Sequence, residues 1–171
     1  MCKRLFVFLI VVVWANAALA LGGVNNVRFG LNTFPIANSW GPLTVLESGR
    51  GFAIMTDNDK ILTVSKLPPG NLIQVSETEK YSIGTILTKY LKGQSLPKDN
   101  ELVNQVLNAF QPMEKKKFNH FDALIKQDPI LPNTSIAYLA IEGSEDSILE
   151  IRAVMDPKEF EEYLQTVEQV N

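Results

Sequence analysis

The stretch 148–167, ILEIRAVMDPKEFEEYLQTV, places a strand pattern directly before a helix pattern. In its first half, apolar residues alternate with Glu150 and Arg152, which is typical of a strand with one buried face. Asp156 and Pro157 then predict a helix start, because an acidic N-cap and a proline at the first helical position are both favoured there. The apolar stripe that follows at helical spacing consists of Phe160, Tyr163, Leu164 and Val167. A strand and a helix that pack on one core are therefore expected here.

Other strand patterns precede this stretch. The apolar run 136–141 is separated from it by the turn residues 143–146, so the two strands are expected to pair. Earlier in the chain, apolar runs alternate with turn-forming residues and predict three or four antiparallel strands, at 43–47, 52–55, 61–65 and 72–75. Gly49 and Gly51 lie between the first two of these runs. Glycine is expected to supply the positive φ of a tight hairpin turn there.

Between these two sets of strands, the spacing of apolar residues changes to that of a helix. One helix is predicted over 83–91 and is expected to end at Gly93. A second helix is predicted from an N-cap at Asp99 to Pro112. Its apolar face consists of Val103, Val106, Leu107 and Phe110. The segment 116–127 fits either a helix or a strand, and its alternating residues favour the strand.

The order of elements predicts a single α+β domain with helices packed on a mostly antiparallel β-sheet. This layout is similar to that of the PsbP-like fold. The resemblance rests on the runs 52–54 and 61–64, the runs 136–141 and 148–155, and the helix that begins at Pro157. It implies an α/β/α sandwich over most of the chain, as in small exported proteins and in extrinsic subunits of the photosynthetic oxygen-evolving complex. Because this fold hosts unrelated roles, the resemblance implies no function.

The N-terminal residues have the three parts of a secretory signal peptide. Lys3 and Arg4 precede the apolar run 5–14, and the small-residue triplet 18–20 follows it. We expect cleavage after Ala20 and a secreted or periplasmic location. No permanent membrane anchor is expected, because an apolar run of about ten residues is too short to span a bilayer.

The remaining chain is expected to form one domain. Residues 21–42 are interpreted as an irregular lead-in that packs on the domain through Trp40, and residues 43–171 as the α+β domain. The only cysteine, Cys2, lies in the part expected to be removed. The mature chain is therefore expected to have neither a disulfide nor a thiolate ligand.

The charge composition argues against nucleic-acid binding. The chain has 16 basic and 19 acidic side chains, and removal of Lys3 and Arg4 would make it more acidic. Binding to phosphates normally needs a concentrated positive field. One basic cluster, Lys115 to Lys117, is interpreted as a solvated edge, with contact to an anionic lipid or a polyanion as the alternative.

His120 is the only histidine, so any Ser-His-Asp arrangement must use it. Asp122 is placed to orient its ring, and Ser135 or Ser144 is the candidate nucleophile. The chain has no Gly-x-Ser-x-Gly motif to present a serine. A histidine between phenylalanines is more typical of a packing or partly exposed strand residue, and no catalytic residue is assigned.

Two further patterns are interpreted without a ligand. Asp57 and Asp59 have the spacing of a calcium loop. Ile61 and Leu62 stand where that loop needs an oxygen ligand and a glycine, so an Asx-rich turn is expected. Asn133 begins an Asn-Thr-Ser sequon, which would be glycosylated only in a eukaryotic secretory pathway. No metal ligand, cofactor-binding residue or cofactor is predicted.

Three functions are open at this point. The export signal, together with the lack of a reactive motif, favours a non-catalytic exported domain that binds a protein partner or an envelope component. An alternative is a carrier of a small apolar ligand, with a pocket between sheet and helices near Tyr81, Tyr90 and Tyr163. The third is a hydrolase that uses His120 and Asp122.

Overall fold

The computed structural model describes residues 19–20, 26–30, 32–36, 40–56, 59–68, 70–140 and 147–169. Its strands are β1 (Leu19–Ala20), β2 (Asn26–Phe29), β3 (Asn32–Pro35), β4 (Leu43–Ser48), β5 (Gly51–Thr56), β6 (Ile61–Lys66), β7 (Ile73–Gln74), β8 (Lys80–Tyr81), β9 (Glu114–Lys117), β10 (Asp122–Gln127), β11 (Thr134–Ala140), β12 (Ile148–Val154) and β13 (Glu168–Gln169). Its helices are α1 (Ile83–Leu91), α2 (Glu101–Phe110) and α3 (Pro157–Thr166). Residues 1–18 of the predicted signal peptide lie outside the described residues, as do Asp57 and Ser144.

The main sheet joins two antiparallel meanders. The strands β4, β5 and β6 follow one another along the chain, as do β9, β10, β11 and β12, and each pairs with the next. The two meanders meet where β12 pairs with β6, with Ile151 opposite Val64. The strand order is β1-β4-β5-β6-β12-β11-β10-β9, and all of these pairings are antiparallel. The predicted α+β class with a mostly antiparallel sheet is confirmed.

The segment 116–127 forms part of a hairpin and not a helix. Asp122 of β10 lies opposite Lys117 of β9. In the turn between them, the Phe118 N–H donates to the Phe121 carbonyl at 2.8 Å. The two phenylalanine rings stack at 5.3 Å and are both buried. The strand expected here is therefore confirmed, although a turn divides it.

The helices α1 and α3 have the predicted ends. α1 ends before Gly93, which has a positive φ of 66°. Asp156 caps α3, because its carboxylate accepts the N–H groups of Lys158 and Glu159 at 2.9 and 3.0 Å. The Glu159 carboxylate pairs with Lys60 of the β5–β6 turn. This ion pair ties the start of α3 to the first meander.

The N-cap of α2 is Asn100 and not the predicted Asp99. The Asn100 Oδ1 accepts the N–H groups of Leu102 and Val103, each at 3.1 Å. The Asn100 Nδ2 also donates to the carbonyl of Gln74 in β7 at 2.9 Å. An amide can accept and donate at once, whereas a carboxylate can only accept. The contact with β7 therefore favours asparagine at the cap.

The first face of the main sheet is defined by the side chains of Ile54, Val64 and Ile151. It is covered by α3 and by the small sheet β13-β3-β2. Phe34 of β3 and Phe160 of α3 are fully buried in this layer. The predicted inward stripe of α3 is confirmed.

Residues 26–35 form a hairpin where an irregular backbone is predicted. The strands β2 and β3 pair through a turn that contains Gly30, whose φ is +61°. Asn26 and Asn32, which suggest irregular backbone, are the first residues of these strands. Trp40 is only 4% exposed, and its ring lies 5.7 Å from that of Tyr163 in α3.

The strand predicted at 72–75 does not join the main sheet. Only Ile73 and Gln74 are extended, and they pair with β8. Leu72 is 63% exposed. The chain leaves the sheet here because the free side of β6 is occupied by β12.

The turn between β4 and β5 requires glycine for a different reason from the predicted one. Neither Gly49 nor Gly51 has a positive φ. A Cβ on Gly51 would lie 2.0 Å from the Val64 carbonyl oxygen, whereas nothing lies within 4 Å of a Cβ on Gly49. The close approach of β6 therefore excludes any side chain at Gly51.

We predict that Gly51→Ala lowers the free energy of unfolding by about 1 to 3 kcal/mol, because β5 and β6 must move apart to admit the methyl group. Gly49→Ala is the matched control and should change this free energy by less than about 0.5 kcal/mol. Urea denaturation of both variants measures the difference. Equal stability of the two variants would contradict the close approach.

Candidate functional site

Of the two serines considered for hydrolysis, only Ser135 is described, and it does not lie near His120 and Asp122. His120 is exposed in the turn between β9 and β10, and Asp122 begins β10. Ser135 pairs with Gln127 at the other end of β10. At about 3.3 Å per residue, five residues of strand separate Ser135 from Asp122 by about 17 Å.

Ser135 also has a structural role. Its side chain is fully buried, and its hydroxyl donates to the Met155 carbonyl at 3.0 Å. The same hydroxyl accepts a hydrogen bond from Gln127 Nε2 at 2.7 Å. Ser135 therefore links the end of β10 to the end of β12, and no substrate can reach its hydroxyl.

The three tyrosines considered for an apolar pocket lie on opposite sides of the main sheet. Tyr163 packs on the first face. Tyr81 and Tyr90 lie with α1 on the other side, where Lys89 and Lys115 approach their rings at 5.2 and 5.8 Å. Tyr90 is exposed. The three rings do not line one pocket.

The lysine cluster 115–117 lies on β9, at one edge of the main sheet. Lys115 Nζ donates to the last carbonyls of α1, at Tyr90 and Leu91. Lys116 Nζ forms ion pairs with Glu161 at 2.6 Å and Glu114 at 3.3 Å. Two of the three charges are thus used within the fold, and lysine on an edge strand hinders further strand pairing.

The second face of the main sheet is defined by the side chains of Leu124, Tyr138 and Ile148. It carries α1, which packs on β10, β11 and β12, with Phe110 of α2 beside Tyr138. Part of this face belongs to β4, β5 and β6. We call this part the open face, and its described side chains are Thr44, Leu46, Ser48, Ala53, Met55, Ile61, Thr63 and Ser65.

Three large apolar side chains are exposed on the open face. Leu46 is 37% exposed, Met55 is 45% exposed and Ile61 is 39% exposed. Met55 lies directly opposite Ile61, and Leu46 lies diagonally from Met55 across β4 and β5. Such neighbours are about 5 and about 7 Å apart, so their side chains form one continuous patch.

A polar network borders the open face. Arg152 of β12 lies opposite Thr63 of β6. Its Nε donates to Glu150 Oε1 at 2.6 Å, and its Nη1 donates to Asp128 Oδ2 at 3.4 Å. Tyr138 of β11 lies directly opposite Glu150. The side chain of Arg152 is 43% exposed, so a charged, oriented group stands beside the apolar patch.

Three pKa values in this network depart from their ordinary values, and one of them is the pKa of Arg152, which the hydrogen bond to Glu150 raises. Burial, followed by the hydrogen bond to Glu150, raises the pKa of Tyr138 to about 12. Hydrogen bonds from the backbone N–H groups of Ile130 and Leu131, with a smaller effect of Arg152, lower the pKa of Asp128. The charged form of Asp128 therefore stabilises the turn between β10 and β11.

No protein-family model, curated protein or solved structure matches this chain. The resemblance to the PsbP-like fold stays a prediction. Among the described residues, no group of three or more histidine, cysteine, aspartate or glutamate side chains is placed to hold a metal ion. None of the described helices is long and apolar enough to cross a membrane.

No pattern in the sequence predicts the open face. Leu46, Met55 and Ile61 belong to strands with ordinary alternation, and the covering helices follow at a distance along the chain. The packing of α1 on β10, β11 and β12 shows which strands this helix covers.

We predict that Asp128→Asn lowers the free energy of unfolding at pH 7. Because the folded-state pKa of Asp128 is lowered, its stabilisation is present above the ordinary pKa of 3.8 and is lost as the pH falls. The difference from the wild type should therefore close as the pH falls below about 4. Urea denaturation from pH 2.5 to 7 measures it, with the exposed Asp99→Asn as control.

The buried hydroxyls of Tyr163 and Tyr138 give a paired prediction. Tyr163 Oη is buried without a hydrogen-bond partner, whereas Tyr138 lies opposite Glu150, and hydrogen bonding to that carboxylate contributes to its raised pKa. Tyr163→Phe should leave the free energy of unfolding unchanged or raise it by up to about 1 kcal/mol, because an unpaired buried group is removed. Tyr138→Phe should lower it by about 1 kcal/mol or more. Urea denaturation at pH 7 that gives the opposite order would contradict these contacts.

Proposed function

We propose that this protein is an exported, non-catalytic domain that binds a protein partner through the open face. The observation that carries the proposal is the patch of Leu46, Met55 and Ile61. Single exposed apolar side chains are common, but a continuous group of three on neighbouring strands is typical of an interaction site.

The surroundings of the patch support a protein partner. Ala53 and Thr63 lie in one row between Leu46 and Arg152, so small side chains separate the apolar patch from the arginine. A protein interface typically combines an apolar centre with oriented polar groups, and arginine is enriched in it. Arg152 supplies such a group here, since Glu150 and Asp128 hold its guanidinium in place.

Export is supported by the charged, apolar and small-residue order of residues 3–20. The partner is accordingly a protein of the cell envelope or the surrounding medium. The non-catalytic character is supported by the separation of His120 and Asp122 from Ser135. The PsbP-like resemblance is compatible with this proposal, since that fold occurs in small exported proteins.

The proposal is tested with the mature chain as bait in its native envelope or medium. Partners are cross-linked, identified by mass spectrometry, and then measured for affinity. Met55→Lys with Ile61→Lys should weaken binding by about tenfold or more, because charge is placed at the centre of the patch. Leu72→Lys with Leu102→Lys is the matched control, since both residues are exposed and apolar but lie outside the open face.

Two outcomes would contradict the proposal. One is equal binding by both double variants, which would move the interface away from the open face. The other is hydrolytic turnover that is lost in folded His120→Asn and Asp122→Asn variants, which would make the protein an enzyme.

A further inference from the structure

The two sides of the main sheet differ in how well they are protected against pairing with a further strand. β9 carries three consecutive lysines, which hinder pairing with another strand. At the other side of the sheet, where only the two-residue β1 lies outside it, β4 has the sequence LTVLES, with neither lysine nor proline and with Glu47 as its only charged residue. An unguarded edge strand of six residues is a template for strand addition.

The structure shows that this edge accepts an antiparallel strand. Leu19 and Ala20 of β1 pair with Val45 and Thr44 of β4. These two residues are the last two before the predicted cleavage site. Cleavage after Ala20 would therefore remove β1 and leave the outer hydrogen-bonding groups of β4 without a strand.

The β4 strand is complementary to itself. An antiparallel pair of two β4 strands can place Val45 of one copy opposite Val45 of the other, on a twofold axis perpendicular to the sheet. Leu43 then lies opposite Glu47, and Thr44 opposite Leu46. No two like charges face each other, and the first faces of both copies stay on one side of the sheet.

We propose that the mature chain forms a twofold-symmetric dimer through antiparallel pairing of β4 with β4 of a second copy. The inference rests on the proposed export and cleavage. The joint sheet places the open faces of both copies on one side, so a partner meets two apolar patches and not one. Pairing along a single short edge is a small interface, so the dimer is weak and populated at about 100 µM.

The test is sedimentation velocity of residues 21–171 from about 1 to 100 µM, with hydrogen exchange of the β4 amides at both limits. The wild type should become dimeric as the concentration rises, and its β4 amides should become protected. Thr44→Lys should weaken the dimer about tenfold or more, because the two lysines lie near each other across the axis. Thr44→Val is the matched control and should keep the dimer, since valine favours strands.

The Met55→Lys variant tests the dimer independently of the proposed function. Met55 lies on β5, away from the paired edge, so this variant should remain dimeric while it loses the partner.

A wild type that is monomeric at about 100 µM would overturn the dimer, and so would a Thr44→Lys variant that dimerises as the wild type does. A monomeric wild type that binds a peptide of residues 15–20 would also overturn it and assign the edge to a strand from another protein. A Met55→Lys variant that still binds the partner would contradict the proposed binding through the open face, but not the dimer.

Discussion

The pairing of β12 with β6 is the interaction on which the rest of the structure depends. It joins the two meanders, although 81 residues of sequence lie between β6 and β12. In this pairing Ile151 lies opposite Val64, and Arg152 lies opposite Thr63. Each meander alone would leave the strand at the junction, β6 or β12, with an unpaired edge, and unpaired edges are prone to wrong pairing. Joined, they give α3 a broad apolar face to cover, and they place the polar network of Arg152 next to the strands of the first meander.

The open face follows from the dimensions of the elements. The seven strands from β4 to β9, spaced about 4.8 Å apart, make a sheet about 29 Å across, without the two-residue β1. A helix is about 10 Å wide, so α1 and α2 cover at most about 20 Å even side by side. Because α1 lies over β10, β11 and β12, the described helices leave the strands of the first meander uncovered, including Met55 and Ile61.

Local patterns in the sequence predict much of the fold, and contacts between distant segments account for what they miss. The strand and helix of 148–167 are predicted because alternation, an N-cap and a proline all agree. The hairpin at 26–35, the Asn100 cap and the need for Gly51 were missed, since each depends on a partner elsewhere in the fold: the core, Gln74 and Val64. The open face was missed for the same reason, because no local pattern shows which strands a helix will cover.

The layer on the first face combines an early and a late segment of the chain, since Glu168 of β13 pairs with Thr33 of β3. A ribosome releases residue 33 long before residue 168, so the N-terminal hairpin emerges without the strand and helix that complete its layer. Contacts of such long sequence separation form slowly. The nascent chain therefore stays incompletely folded until its synthesis is nearly finished.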